Sequence, residues 1–521
     1  MKRNFIYIAI FSLIGLFTSC KDIFNYDPYN QVPPTQFWTS QSDAEKAVFA
    51  CYGTIVDWPF NDPATFNLAS IASGDTKKGG TASDQPNVNQ FSNFTFSSTH
   101  NHISENYNAR YFLINMCNQA ITNIPKITMD ETAKKELIGE AKFIRAWAYF
   151  DLVKTFGEVI VYDGLPADGN YNISKSSLAD IYKLIESDLQ YATANCRVEP
   201  WSAEWKGRIT SYGAKAYLAK VEMYEACGAN FTEDHSAIND RKWADVKALT
   251  DDVISHGPYK LFTEKGDSSF FYLFRIPYEN SDESIFEAQC GTSATVGGIA
   301  RSSYAQYQWA TNLNGWAFNA PSDQLINDWE ARIATDNDVL RYQQSIIWQG
   351  QTLPDGDVIG AATQNGTSAF GDVNATGLAR SRFSLKAYES RNDDKHNGGW
   401  QAFCEQNYKL YRFAEVLLID AEAEFMLGNK QEAINSINLV RDRVKETPLT
   451  VSNISLQKIW DERRFELAFE NDRFFDLIRT GQAATLLGTS GFTAPKNYFY
   501  PLPQQAIDVS QGILKQNKYW E

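Results

Sequence analysis

Ala146-Trp147-Ala148-Tyr149-Phe150 recurs as Ala214-Lys215-Ala216-Tyr217-Leu218 and again as Ala421-Glu422-Ala423-Glu424-Phe425. Alanines two apart, followed by an aromatic or leucine, let two helices approach closely while a large side chain fills the neighbouring groove. The partner segments repeat too. Leu178-Ala179-Asp180 with Leu184 answers Trp243-Ala244-Asp245 with Leu249, and Gly428-Asn429-Lys430 leads into a helix over 431–444. Such pairs fit tetratricopeptide-like repeats or a generic helical bundle.

Outward from these repeats, helical apolar spacing covers 42–58, opened by the cap-like Ser42-Asp43-Ala44-Glu45, and then 104–124, 131–156, 174–196, 210–227 and 241–256. Short breaks between them predict antiparallel hairpins. The middle, 262–408, is rich in Gly, Ser, Thr, Asn and aromatics. It has strand-like runs at Ser284-Ile285-Phe286-Glu287 and Ser345-Ile346-Ile347-Trp348, and little helical period beyond 322–329. The fold class expected is mainly α, with an irregular, loop-rich insertion containing short strands. A long insertion of this kind usually carries function, and the polar stretch 73–101 is expected over the same face.

The N-terminus carries a lipoprotein signal. Lys2 and Arg3 precede an apolar core from Phe5 to Phe17, and Phe17-Thr18-Ser19-Cys20 supplies small residues before a cysteine placed for acylation. This segment is too short to span a bilayer, as is every later apolar run. Residues 1–19 are therefore expected to leave, with Cys20 lipidated, 20–40 a leash and 41–521 one domain. Within it, 41–261 and 409–480 form the helical scaffold, 262–408 the irregular part and 481–521 a closing segment.

With 43% hydrophobic residues and only 17 prolines, the chain can bury a large core. Its formal charge of −15 becomes −17 once Lys2 and Arg3 are removed, which argues against nucleic acid and against an electrostatic grip on anionic lipid. Cys51, Cys117, Cys196, Cys227, Cys290 and Cys404 are an even set that permits disulfides in an exported chain, but their irregular spacing reads rather as buried free thiols, and none of the spacings makes a zinc site.

Enzyme motifs are absent from the sequence: it has no His-Glu-x-x-His, phosphate loop, nucleophile elbow or dinucleotide fingerprint. His100-Asn101-His102 could set two imidazoles on one side of a strand, yet no third ligand is near, and a polar loop is the simpler reading. Asp336-Asn337-Asp338, Asp355-Gly356-Asp357 and Asn392-Asp393-Asp394 are oxygen-rich turns without the twelve-residue calcium loop. No cofactor is expected, and a structural calcium is left open.

The binding material is aromatic. A sugar presents apolar C–H faces and hydroxyls, so its site needs exposed rings beside amide, carboxylate or guanidinium groups. Tyr304, Tyr307, Trp309 and Trp316 lie among Arg301, Gln306, Gln308, Asn312 and Asn314; Trp58, Asp75, Lys77 and Trp400 are further candidates. Singly each aromatic reads as core, whereas the cluster in loop-like sequence reads as a platform.

Glu462-Arg463-Arg464-Phe465-Glu466-Leu467-Ala468-Phe469-Glu470, then Asp472-Arg473-Phe474-Phe475-Asp476-Leu477-Ile478-Arg479 and Gly481, resembles the signature of the SusD/RagB family of outer-membrane nutrient-binding lipoproteins. The segments 140–157, 411–423 and Tyr498-Phe499-Tyr500-Pro501-Leu502-Pro503 agree with it. The resemblance implies four tetratricopeptide-like units and a place on the outer surface of the outer membrane, capping a SusC-like TonB-dependent transporter. It implies a non-catalytic role in capturing oligosaccharide, or peptide in some members; a surface enzyme is the remaining class. Charges three apart, Asp461 with Arg464, Glu470 with Arg473 and Asp476 with Arg479, are expected to meet along one helix over 462–479 as an ion network rather than a catalytic site.

Overall fold

The computed structural model of the chain describes residues 37–56, 63–79, 83–166, 169–232, 235–290, 308, 317–348, 350–359, 382–389 and 406–521. Its scaffold is a series of helix pairs. Helix α1 (Gln41–Ile55) packs on α2 (Asn101–Asn123), α3 (Glu131–Phe156) on α4 (Leu178–Asn195), and α5 (Ser211–Ala226) on α6 (Trp243–His256). Beyond the insertion and its helix α7 (Asp323–Asp336), α8 (Phe413–Met426) packs on α9 (Lys430–Arg443). Successive pairs stack through α2 on α3, α4 on α5 and α6 on α8, the near one-dimensional arrangement of tetratricopeptide-like repeats.

Local chemistry sets the helix ends. Ser40 and Asp43 bond reciprocally at the start of α1, and Asp130 accepts from the Ala133 N–H at 2.8 Å at the start of α3. Helix α3 stops at Gly157, where φ is +72° and the Phe499 ring lies 3.0 Å from where a Cβ would stand. The repeated alanines do what their spacing predicts. Ala146, Ala148, Ala214, Ala216, Ala421 and Ala423 are fully buried. Tyr217 fills the groove beside them, edge-on to Phe143, Phe150 and Tyr411, and deleting its ring would cost about 3–5 kcal/mol.

In the insertion and its neighbours, β1 (Thr76–Lys77), β2 (Ser284–Ala288), β3 (Ala320–Pro321), β4 (Ile346–Ile347), β5 (Phe383–Ser384) and β6 (Tyr408–Arg412) pair antiparallel as β1–β3, β2–β6 and β4–β5. The insertion has a core of its own around Phe271, Ile347, Phe383, Leu385 and Tyr388. A second cluster joins Leu325, Trp329 and Tyr342 to Phe465 and Phe469 of the signature stretch. Helix α7 continues well past the expected 329, and the turn gained brings Arg332 inward to Glu462.

The signature stretch departs from the expected single helix. Helix α10 (Leu456–Glu466) ends, Phe469 and Asn471 take φ of +69° and +68°, and α11 (Arg473–Arg479) restarts. Of the three charge pairs expected along one helix, Asp476–Arg479 forms at 2.7 Å. The others are replaced by distant partners: Arg464 pairs with Asp75 and Asp328, and Glu470 with Arg412 and Lys386. The break is favoured because buried charges need near-ideal partners, which the straight helix does not offer. Cys51, Cys117, Cys196 and Cys227 are buried free thiols, Cys290 is half-buried and free, and Cys404 lies outside the described residues. No helix among the described residues is long and apolar enough to cross a membrane.

Candidate functional site

Two stretches singled out for loop character meet at β1–β3. Thr76 faces Pro321 and Lys77 faces Ala320, and the Ser322 N–H donates to the Asp75 carbonyl at 2.8 Å. Next to the pair the backbones nearly touch. A Cβ on Gly79 would stand 1.9 Å from the Ala317 carbonyl oxygen, so only glycine fits without moving the strand. The Lys78 ammonium lies 5.5 Å from the centre of the Phe318 ring. The stem of the early loop and the stem of the aromatic segment therefore share one origin. Buried Gln308, within that segment, accepts from Asn319 Nδ2 at 2.9 Å.

Arg301, Tyr304, Tyr307, Trp309, Asn314, Trp316, Trp58, Trp400 and Cys20 lie outside the described residues. Asp75 is placed, and its carboxylate is paired within the protein. It accepts from Arg464 Nη2 at 2.6 Å and from Nε at 2.9 Å, with Arg473 Nε at 3.5 Å. Burial opposes its charge, yet Arg464 and then Arg473 hold its carboxyl below the usual range. Asp75 is thus a tether for the early loop. Nothing local in the sequence points from position 75 to position 464.

Beneath this face lies a buried ionic layer. Glu466 accepts from Arg412 Nη1 at 2.5 Å, from Arg341 Nε at 3.1 Å and from Arg443. Glu462 accepts from Arg441 Nη1 at 2.7 Å and from Arg332 and Arg341. Glu470 accepts from Arg412 and Lys386, each at 2.7 Å. Arg332, Arg341 and Lys386 come from the insertion, and Arg412, Arg441 and Arg443 from the scaffold. These six buried cations face seven carboxyl groups: Glu283, Asp336, Asp338, Glu446, Glu462, Glu466 and Glu470.

Against burial, Arg341, Arg332 and Arg441 hold Glu462 down at about 2, and Arg443, Arg412 and Arg341 hold Glu466 far below the usual range. Burial and then Glu462 push the Glu446 carboxyl up. Arg463 joins Glu415 at 2.8 Å and Asp476 at 3.1 Å, and Arg479 joins Glu422 at 2.8 Å, clamping α10 and α11 to α8. The signature is thus the fastening between insertion and scaffold. Spacing within the motif predicts ionic pairing but not these partners.

The histidines sit at a helix start rather than on a strand or in a loop. His100 caps α2 by accepting from the His102 N–H at 3.2 Å, and His102 Nδ1 meets Asn67 Nδ2 at 2.7 Å. Burial lowers both, His102 to about 4. The oxygen-rich turns are likewise engaged. Asp338 accepts from Trp329 Nε1 at 2.9 Å, Asp336 pairs with Arg441, and Asp357 accepts from Tyr388 at 2.9 Å, while 392–394 lie outside the described residues. One carboxylate group among the described residues has metal-like spacing, Asp251, Asp420 and Glu424. Asp420 there accepts from Thr250 at 2.7 Å and from Ser436 at 2.5 Å, and Glu424 pairs with Lys247 at 2.9 Å.

A family model described as starch-binding associating with outer membrane matches residues 33–223, and the SusD family model matches 282–520. SusD-like protein P2 of Formosa agariphila is 26% identical over 539 residues, covering 99% of each chain. A SusD-like protein of Bacteroides ovatus is 25% identical, covering 92% of this chain and 82% of its own. A solved laminarin-binding SusD-like protein superposes with a TM-score of 0.73 at 26% identity, covering 92% of this chain and 99% of its own. Surface glycan-binding protein A from Bacteroides thetaiotaomicron, solved with laminarihexaose, shares the fold with a TM-score of 0.71 at 21% identity, covering 92% of this chain and all of its own (100%). One family model spans the first repeats and the early loop, the other runs from β2 through the ionic fastening to the closing segment, and the chain belongs to the SusD family.

Proposed function

We propose that the chain is a non-catalytic surface lipoprotein, held at the outer membrane through lipid on Cys20 and facing the exterior, that captures oligosaccharide for a SusC-like TonB-dependent transporter. The observation that carries this reading is the β1–β3 junction, where the stems of the early loop and of the Tyr304 to Trp316 segment start side by side. Exposed aromatic rings beside amides suit the apolar faces and hydroxyls of a sugar polymer. The relatives solved as laminarin-binding or with laminarihexaose bound support a glycan cargo. The ionic layer supports the non-catalytic role, because the shifted carboxyls of the signature are engaged by arginines.

Calorimetry against a panel of neutral oligosaccharides including laminarihexaose tests the proposal. Trp309→Ala and Trp316→Ala are each expected to weaken binding by on the order of 1 to 3 kcal/mol, the worth of one stacking platform. Unchanged affinity in both single variants and in the double variant would place the site elsewhere. Release of shortened sugar would overturn the non-catalytic reading, and binding of peptides alone would make the cargo peptide.

A further inference from the structure

A cleft of about 910 Å³ opens between α2, a strap after α3 made by residues 160–166 and 169–172, and the C-terminal stretch 505–514. It shares no lining residue with the β1–β3 junction. Its volume lies within the range of sites for small organic ligands, at the large end. Among the described residues no Asp, Glu, Lys, Arg or His lines it, although charged residues make up 21% of the chain. A phosphate, a nucleotide or an acidic peptide would find no counter-charge there.

The walls carry rings and amides. On α2, Asn108, Tyr111, Phe112 and Asn115 have the spacing that puts four side chains on one face. The rings are held before any ligand arrives. Tyr111 donates to the Ile160 carbonyl at 2.8 Å and Tyr162 to the Tyr171 carbonyl at 2.5 Å, and these rings meet edge-on at 5.8 and 5.5 Å between centres. Two rings stay in water, with Phe112 58% and Tyr171 48% exposed. The side-chain amides of Asn108 and Asn115 make no hydrogen bond among the described residues.

We propose that this cleft is a second carbohydrate site, taking a neutral oligosaccharide whose C–H faces stack on Phe112 and Tyr171 and whose hydroxyls bond the α2 amides. The inference rests on the glycan-binding function proposed above. A neutral amide can serve a hydroxyl as donor and acceptor at once. A protein partner is the competing occupant. The concavity favours a sugar, since small-ligand sites are clefts that enclose most of their ligand.

The test is titration calorimetry of the full-length protein in detergent with neutral hexasaccharides, laminarihexaose among them, on the parent chain, on Trp309→Ala/Trp316→Ala and on Phe112→Ala/Tyr171→Ala. The parent is expected to bind two equivalents, and the cleft variant one, with at least a tenfold loss at the second. Asn108→Ala/Asn115→Ala, which leaves the rings in place, should give the same loss if ring removal disturbs folding. Unchanged stoichiometry and affinity in both cleft variants would overturn the second site while leaving glycan binding intact. Absence of any binding to the parent would bring down both readings together. Cleft variants that bind sugar normally but lose co-purification with a large membrane protein would identify a protein-docking surface and refute the proposal.

Discussion

Glu466→Gln keeps the side chain's shape and removes the charge at the centre of the ionic layer. In the parent, Glu466 is fully buried and accepts from Arg412, Arg443 and Arg341. Glutamine would turn its NH2 toward a guanidinium. Breaking a buried pair from one side costs about 3–5 kcal/mol. The lower end applies here because the three arginines keep Glu470, Glu283 and Glu462 as other partners. Unfolding entropy scales to about 1 kcal/mol per degree for a chain of 521 residues, so the melting temperature should fall by about 3 °C. Differential scanning calorimetry at pH 7 is the assay, with Asp461→Asn, half-buried on the same helix and bonded to Gln457, as a control expected within 0.5 °C. A Glu466→Gln melt indistinguishable from the parent would refute the view that the signature fastens the insertion. The deficit should also vanish in acid. Glu466 titrates far below its usual value in the folded state, so its contribution is present above about pH 5 and is lost as pH falls.

Three other outcomes are expected. His102, lowered by burial to about 4, contributes as neutral imidazole above pH 6.5 and loses at most about 3 kcal/mol as pH falls through 4; His102→Gln should flatten the melting temperature in that window, and an unchanged slope would contradict it. Gly79→Ala forces β1 from β3 against the Ala317 carbonyl, and proteolysis near 76–85 should quicken at least several-fold while the global melt barely moves; equal cleavage rates would count against the shared stem. Cys20→Ala should release a folded protein from membranes, whereas mass spectrometry of an unmodified Cys20 in membrane-bound protein would remove the anchor.

Where local chemistry decides, the sequence was readable. Helix α3 occupies the expected 131–156, and α5 differs from 210–227 by a residue at each end, because alanine spacing and caps act within a few residues. The break between Glu466 and Arg473 was not readable. It answers to Arg412, Arg443 and Arg341, which arrive from distant parts of the chain. The partner of Asp75 is illegible for the same reason: its carboxylate pairs with Arg464, a contact no neighbouring residue announces. The cleft beside α2 was overlooked because Asn108, Tyr111, Phe112 and Asn115 look like an ordinary helix face until the strap is seen beside it.

The ionic layer has a consequence for how the protein meets salt. Pairs between exposed charges fade within a Debye length as salt rises, but buried ones are screened far less. Glu462, Glu466, Arg341, Arg412 and Arg441 are almost wholly shielded from water. The junction of insertion and scaffold fastened by such a layer keeps its alignment in brine and in dilute medium alike, while the net charge of −15 on the whole chain is left to answer to ionic strength.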